Sequence, residues 1–383
     1  MAFAVQAQNV GRLSAMERRW PELCGALPRV GLTTLPTRVH RLERLGAGLG
    51  VDLWVKRDDE SGPLYGGNKP RKLEFILGDA VADGKKSVMT FGGIGTHHGL
   101  ATAICARSLG LRTILVLLRQ PVTEHVRHSL LLDYTAGAEM HYAPSVPGVT
   151  ARALRICARE LLRGELPYIV LTGGTSPLGT LGYVNAAFEL KEQIDGGLLP
   201  EPGWIFAPLG SGGTIAGLTL GAKLAGLKSR VVAVLVTDIL PPSAGRLATM
   251  ARKSSEVLRA RVDLGSVGVG PADFTILSGF VGRAYGAPTE EGRRACERMH
   301  ELEHITLETT YTAKCVAGML EALRSPEYHR APVLFWNTYS SIDPSHHLGP
   351  LPDYHQLPKA FHPPASRVRW RCLVILHLLP EPR

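Results

Sequence analysis

Residues 55–75 read VKRDDESGPLYGGNKPRKLEF, and this stretch is the most informative about the fold. They contain the end of an alternating strand, a polar loop, the pair Gly66 and Gly67, and the start of a helix. Asn68 suits the N-cap of that helix, and Pro70 suits its first turn because the missing N–H of proline is not needed there. The pattern therefore predicts that Lys69 lies at the positive end of a helix dipole, beside a glycine hinge.

The sequence around Lys69 favours the neutral form of its amine. The helix dipole and the neighbouring Arg71 and Lys72 disfavour a further positive charge, so we expect a lysine that can act as nucleophile and base near pH 7. The two glycines would let its side chain move. On these residues alone, an ordinary basic helix start on the protein surface explains the pattern equally well.

Short β-rich runs alternate with helical patterns on both sides of this stretch. The expected strands are 52–57, 87–91, 113–118, 168–172, 204–209, 230–237 and 332–336, and the expected helices are 100–109, 123–136, 178–194, 290–302 and 314–323, with another beginning at 215. This alternation predicts an α/β fold with a mostly parallel sheet that helices cover on both faces.

Two glycine-rich turns fall between an expected strand and an expected helix. Residues 91–102, FGGIGTHHGLAT, place Thr96, His97 and His98 where backbone N–H groups and a helix dipole favour an anion such as a carboxylate. The histidine pair could instead bind a metal, although no third ligand follows at a zinc spacing. Residues 209–217, LGSGGTIAG, suit a phosphate because small residues expose backbone N–H groups. A plain tight turn explains either stretch as well, and the dinucleotide pattern fails because its last position is Ile215.

Composition bounds the function classes. The 383 residues carry a net charge of +9, are 45% hydrophobic and include six cysteines without a CxxC pair. The basic residues are scattered, so we expect solvated surface and no nucleic-acid partner. There is no signal-peptide pattern and no apolar run of membrane-spanning length, so we expect a cytoplasmic protein with reduced thiols and no membrane contact.

Taken together, these segments resemble the D-cysteine desulfhydrase / 1-aminocyclopropane-1-carboxylate (ACC) deaminase family of fold-type-II pyridoxal-phosphate enzymes. The likeness covers roughly residues 30–345, and its most specific element is GGNKPRKLE at 66–74, supported by PLGTLGYVNAAFEL at 177–190. The resemblance implies a two-domain α/β architecture like the tryptophan synthase β subunit, pyridoxal phosphate as cofactor, a small amino acid as substrate, and a homodimer.

The resemblance also implies roles for single residues. Lys69 corresponds to the lysine that forms an imine with the cofactor and exchanges the substrate's Cα proton, and Lys72 to a second lysine near the cofactor. Thr96 corresponds to a serine that contacts the substrate. The other implied positions are the cofactor contacts Asn68, His97, Ser211, Gly212, Gly213, Thr214 and Thr312, the substrate contacts His97 and His98, and the active-site tyrosines Tyr285 and Tyr311.

Thr312 separates the two branches of this family. The deaminase branch has a glutamate there that faces the pyridine nitrogen, whereas the desulfhydrase branch has a threonine, as here. A neutral hydroxyl gives a weaker electron sink than a carboxylate-stabilised pyridinium, which favours α,β-elimination over ring opening. We therefore expect a D-cysteine desulfhydrase-like lyase that yields pyruvate, ammonia and hydrogen sulfide, with ACC deamination as the alternative.

The sequence departs from the family pattern in three places. Gly95, Thr96 and His97 replace the usual Gln-Ser-Asn, and residues 337–341, NTYSS, replace a His-Thr-Gly-Gly-type turn. Tyr339 would thereby place bulk near the cofactor ring or the substrate. The Pro-, His- and Arg-rich stretch after Gly349 has no counterpart.

The expected large, cofactor-binding domain is formed by residues 1–71 and 189–349. The expected small domain, 72–188, would close over the substrate with the cofactor in the cleft, and 350–383 would form a tail. Two further functions remain open: a related β-replacement enzyme, and a non-catalytic module that only binds cofactor or amino acid.

Overall fold

The computed structural model describes residues 13–120, 124–239, 241–284 and 286–362. Its strands, in chain order, are β1 Val39–Arg41, β2 Leu53–Lys56, β3 Ser87–Gly93, β4 Arg112–Leu118, β5 Glu139–Ala143, β6 Tyr168–Val170, β7 Trp204–Leu209, β8 Arg230–Leu235, β9 Thr275–Leu277 and β10 Val333–Trp336.

The helices alternate with these strands. They are α1 Ala15–Arg19, α2 Glu43–Leu49, α3 Asn68–Ala82, α4 His97–Ser108, α5 Glu124–Thr135, α6 Val146–Leu162, α7 Pro177–Asp195, α8 Gly213–Leu224, α9 Ala244–Arg259, α10 Glu290–Glu303, α11 Thr312–Ala322 and α12 Ser345–Leu348. None of these helices is long and apolar enough to cross a membrane, and each of the five cysteines in the described part of the chain is a free thiol.

Contacts divide the described residues into two compact units. The first unit takes its residues from 1–84, 173–237 and 241–344, and the second from 85–172, 238–240 and 345–383. The boundaries thus lie near 84 and 172, whereas we expected 71 and 188. The difference arises because α3 and α7 pack extensively on each other and so fall in one unit. The described part of the expected tail, up to residue 362, belongs to the second unit.

The first unit is built on a six-stranded sheet with the order β1-β2-β10-β7-β8-β9. Only the edge strand β1 runs antiparallel to its neighbour; the other pairs are parallel. Side chains of β10 alternate between the two faces, with Leu334 and Trp336 in one buried cluster and Val333 and Phe335 in the other. Both faces are therefore covered, and the predicted α/β fold with mostly parallel sheets is confirmed.

The second unit contains a four-stranded parallel sheet with the order β5-β4-β3-β6. Its strand β4 is buried on both faces: Leu115 and Leu117 belong to one apolar cluster, and Ile114 and Val116 to another. Full burial of each such side chain contributes roughly 1.5–3 kcal/mol. This explains why β4 reads as an unbroken apolar run and not as an alternating strand.

Candidate active site

Three loops of the first unit meet at one edge of its sheet. The segment before Lys69 follows β2, the turn at 210–212 follows β7, and residues 337–341 follow β10. These strands are neighbours in the order β2-β10-β7 and run parallel. Their carboxyl ends therefore lie side by side, which is where ligands bind in open parallel sheets.

Two glycines shape the start of α3. Gly67 is the N-cap and has a φ of 79°, and a Cβ on Gly66 would lie 1.9 Å from the Asp59 carbonyl oxygen. Only glycine fits such a close approach. Our expectation that Asn68 is the N-cap is wrong: Asn68 is the first helical residue, which leaves its side chain available for other contacts.

Asn68 links the lysine to the turn at 211–214. The Lys69 Nζ donates to Asn68 Oδ1 at 2.9 Å, and Asn68 Nδ2 donates to Thr214 Oγ1 at 3.2 Å. Thr214 lies in the first turn of α8, directly after Gly212 and Gly213. The structure therefore brings together the predicted lysine and the predicted phosphate turn.

Burial sets the protonation of Lys69. It lowers the pKa of the Lys69 amine from 10.5 to about 8, and the charge of Glu308 opposes this shift. We had attributed such a shift to the helix dipole and to Arg71 and Lys72. Arg71 cannot act in this way, because its charge is neutralised by Asp58 at 2.7 Å and by Glu189 at 3.0 Å.

Arg71 belongs to a buried ion cluster formed by Lys56, Asp58, Arg71 and Glu189. Lys56 Nζ donates to Glu189 Oε1 at 2.5 Å, and Asp58 Oδ2 also accepts from the Tyr183 hydroxyl at 2.8 Å and the Trp336 indole at 2.7 Å. All four charged side chains are at most 3% exposed. The cluster joins β2, α3, α7 and β10, and so fixes the helix that begins with Asn68 and Lys69.

Lys72 is a second buried lysine next to the glycine turns. Its Nζ donates to the Gly173 carbonyl at 3.3 Å, and a Cβ added to Gly213 would lie 3.2 Å from that nitrogen. Burial and the charge of Lys69 lower its pKa well below 10.5. None of the carboxylates in the described residues forms an ion pair with Lys72, so an anion is the natural counterion for it.

A second glycine turn, which sequence analysis missed, faces the first. Thr175 Oγ1 and Ser211 Oγ are 2.6 Å apart, and a Cβ on Gly173 would lie 2.6 Å from Ser211 Oγ. The signal in the sequence was TGGTS at 172–176 before a helix, the same pattern of small residues as at 210–214. The two turns, the start of α8 and Lys72 supply the hydroxyls, backbone N–H groups and positive charge that a phosphate dianion requires.

The start of α11 is organised by a buried carboxylate. Glu308 accepts hydrogen bonds from the backbone N–H groups of Thr310, Tyr311 and Thr312. Burial nevertheless raises its pKa. The Thr312 hydroxyl accepts from the Glu308 N–H at 3.0 Å, and a Cβ on Gly210 would lie 3.1 Å from the Tyr311 ring. Tyr311 and Thr312 are thus placed beside the loop that carries Ser211, while Tyr285 lies outside the described residues.

Thr96, His97 and His98 lie in the second unit, at the start of α4. Thr96 is the N-cap and its hydroxyl accepts from the Gly99 N–H at 3.3 Å. His98 is 4% exposed, and its Nε2 lies 2.9 Å from the Thr90 hydroxyl. Since that hydroxyl donates to the Val170 carbonyl, Nε2 carries the proton and donates to Thr90. Residues of this second unit hold His98 in place within its core.

Comparison with known proteins identifies the family. Residues 30–338 match the pyridoxal-phosphate dependent enzymes, and the chain belongs to that family. The D-cysteine desulfhydrase of Klebsiella pneumoniae (strain 342) is 31% identical over 319 residues, covering 81% of this chain and 93% of the relative. The nocardicin C-9′ epimerase of Nocardia uniformis subsp. tsuyamanensis is 34% identical over 331 residues, 86% of this chain and 97% of the relative.

A crystal structure of an ACC deaminase homologue is 31% identical, with a TM-score of 0.72, and covers 86% of this chain and 96% of that one. The family resemblance seen in the sequence is therefore confirmed, as are the fold type and the cofactor. The protein is an enzyme that uses pyridoxal phosphate. The buried Lys69, the two glycine turns and the amine of Lys72, which has no carboxylate partner among the described residues, fit that cofactor.

Proposed function

We propose that this enzyme is a lyase of a small amino acid, with D-cysteine desulfhydrase-like α,β-elimination as its reaction. The observation that carries the proposal is the chain of hydrogen bonds from Lys69 through Asn68 to Thr214. It supports a single site for pyridoxal phosphate, in which the aldehyde of the cofactor would react with Lys69 and its phosphate would bind the glycine turns. A cytoplasmic homodimer is part of the same proposal.

The proposed elimination gives a role to the lysine and to the residues expected to bind the substrate. When bound, pyridoxal phosphate withdraws electrons from the Cα of the attached amino acid. Lys69 takes the Cα proton at Nζ, and its lowered pKa leaves a useful fraction of neutral amine near pH 7. We assign the substrate carboxylate to Thr96 and His97 at the start of α4, and we keep Tyr311 and Tyr285 as active-site tyrosines because the family resemblance implies that role. His98 is bonded to Thr90 in the core, so it holds the start of α4 and does not contact the substrate.

The proposed reaction needs only the amino acid and one water molecule. The Cα–H bond breaks and its proton passes to Lys69, while the β-substituent leaves with the electron pair of its bond to Cβ. Water then hydrolyses the remaining enamine to a keto acid and ammonia. With D-cysteine the products are pyruvate, ammonia and hydrogen sulfide.

Thr312 supports elimination over ring opening. Its side chain is fully buried and carries no charge, and the nearby Glu308 directs its carboxylate at three backbone N–H groups. ACC deamination is the second candidate, favoured by the crystal structure of the ACC deaminase homologue. The products separate the two, since ACC yields 2-oxobutanoate and not pyruvate.

The test is a screen of D- and L-cysteine, other small D- and L-amino acids and ACC for keto-acid release by the purified holoenzyme. We expect pyruvate and sulfide from D-cysteine, no release by Lys69→Ala, and unchanged release by Lys228→Ala, which alters an exposed lysine on a loop. The Lys69→Ala variant should also lose the visible absorbance of the bound cofactor. Release from ACC alone would support the second candidate, and release from no amino acid would refute both.

A further inference from the structure

The turn after β10 is fastened to the segment that precedes Lys69. The Asn68 N–H donates to the Thr338 carbonyl at 3.0 Å, and the Gly66 N–H donates to Ser340 Oγ at 2.9 Å. The Ser341 N–H and hydroxyl both donate to the Asp59 carbonyl, each at 3.0 Å. Tyr339 lies in the middle of these contacts, so its backbone position is fixed relative to the lysine.

The approach is close enough to require glycine on the opposite side. A Cβ on Gly67 would lie 2.6 Å from the Thr338 carbonyl oxygen and 3.1 Å from the Tyr339 carbonyl carbon. Gly67 is two residues before Lys69. The backbone of Tyr339 therefore lies close to the loop that precedes Lys69. The Tyr339 side chain has to be accommodated at this edge of the sheet.

Charge relations also link the phenol of Tyr339 to Lys69. Tyr339 is half-buried, and burial followed by the charges of Glu308 and Asp343 raises its pKa. Glu308 is also the carboxylate that acts on the pKa of Lys69. Both groups therefore have the same buried carboxylate nearby, and the phenol keeps its proton at neutral pH.

Asn337, two residues before Tyr339, carries a buried polar side chain at this turn. Its side chain is fully buried, and neither its Oδ1 nor its Nδ2 has a hydrogen-bond partner among the described residues. A buried amide without a hydrogen-bond partner is unfavourable, so a bound group or an ordered water is needed to satisfy it. The amide belongs to the strand whose carboxyl end adjoins the lysine loop.

We propose that Tyr339 determines substrate specificity in the Lys69 site, by filling space that a larger amino-acid side chain would need. This inference rests on the proposed function, because it assumes that an amino acid binds there. The phenol restricts the site to substrates with short side chains.

The experiment measures binding and does not depend on the elimination reaction. α-Methylalanine and α-methylleucine lack the Cα proton, so they bind without turnover. Their dissociation constants are measured by calorimetry on wild-type holoenzyme and on Tyr339→Gly, Tyr339→Ala and Tyr339→Phe. We expect the wild type to prefer α-methylalanine, and the Gly and Ala variants to bind α-methylleucine at least about tenfold better relative to α-methylalanine.

Tyr339→Phe is the matched control, because it keeps the ring and removes only the hydroxyl. It should keep the wild-type ratio of the two dissociation constants. Cofactor absorbance and circular dichroism verify that each variant is folded, and Tyr339→Ala replaces Tyr339→Gly if the latter is not. Ratios within twofold of the wild type in both small variants would overturn the inference, as would a wild-type holoenzyme that binds neither ligand. Binding without keto-acid release would refute the proposed elimination alone.

Discussion

Replacing Arg71 with methionine would remove the central cation of the buried ion cluster while keeping most of the side chain's volume. Arg71 is the only ion-pair partner of Asp58 among the described residues, and it also pairs with Glu189. Asp58 would keep the Thr37, Tyr183 and Trp336 hydrogen bonds. It would nevertheless be a carboxylate with no countercharge in contact.

Leaving a buried charge without its partner costs about 3–5 kcal/mol. Since proteins of this kind have a free energy of unfolding of about 5–15 kcal/mol, the loss would be a large fraction of the total. The assay is urea unfolding followed by circular dichroism, with the apoprotein at pH 7. The matched control is Arg18→Ala, because Arg18 pairs with Glu192 on the same helix α7 but with both side chains more than 40% exposed.

The control should lose no more than about 1 kcal/mol, because solvent screens exposed pairs. A similar small loss for Arg71→Met would refute the idea that the buried carboxylates of Asp58 and Glu189 depend on Arg71 as their countercharge. The pH dependence gives a second check. Arg71 and Lys56 hold the pKa of Glu189 well below its ordinary value of 4.5, so this stabilisation is present above about pH 4.5 and lost as the pH falls below it. The variant should show a weaker acid dependence than the wild type.

Three further outcomes follow from the site. The rate at which apoenzyme captures pyridoxal phosphate should rise with pH to a plateau above about 8, because only the neutral Lys69 amine reacts; a midpoint near 10.5 in stopped-flow absorbance would contradict this. Lys72→Met should raise the dissociation constant for pyridoxal phosphate about tenfold or more while sparing unphosphorylated pyridoxal, as measured by equilibrium dialysis; equal effects on both would exclude a phosphate contact. Thr312→Glu should shift the cofactor absorbance and favour ACC ring opening over elimination, and unchanged spectra and product ratios would remove the argument from Thr312.

Much of the architecture was predictable because the central strands have short, local signals. Residues 204–209 are predicted and observed as the same strand, and 178–194 lies within α7. Other elements were missed. The three-residue strands β1 and β9 are too short for a periodic signal. Helix α9 does have a helical pattern in the sequence, because Leu247, Ala251 and Leu258 recur at helical spacing and are buried. The many polar residues between them made this pattern difficult to recognise.

The parts of the site that consist of consecutive residues could be predicted from the sequence. Contacts between residues far apart along the chain could not. Lys69 and the turn at 211–214 each follow a strand and precede a helix, so their sequence alone indicated a ligand site. The partners of Arg71 could not be read in the same way. Asp58 and Glu189 are 13 and 118 residues away along the chain, and only the fold shows that Arg71 is neutralised.

Lys72 has opposite consequences for the stability of the apoprotein and for cofactor binding. Lys72 is buried without a carboxylate among the described residues, so its protonated form destabilises the apoprotein at neutral pH, where its free-chain form is charged. A phosphate dianion beside it would remove that cost. Lys72→Met should therefore raise the melting temperature of the apoprotein. It should also reduce the further rise in melting temperature that binding of pyridoxal phosphate produces. This opposition between stability and binding is what a site built for an anion requires, whereas a lysine kept for structural reasons alone would have acquired a partner, as Lys56 has in Glu189.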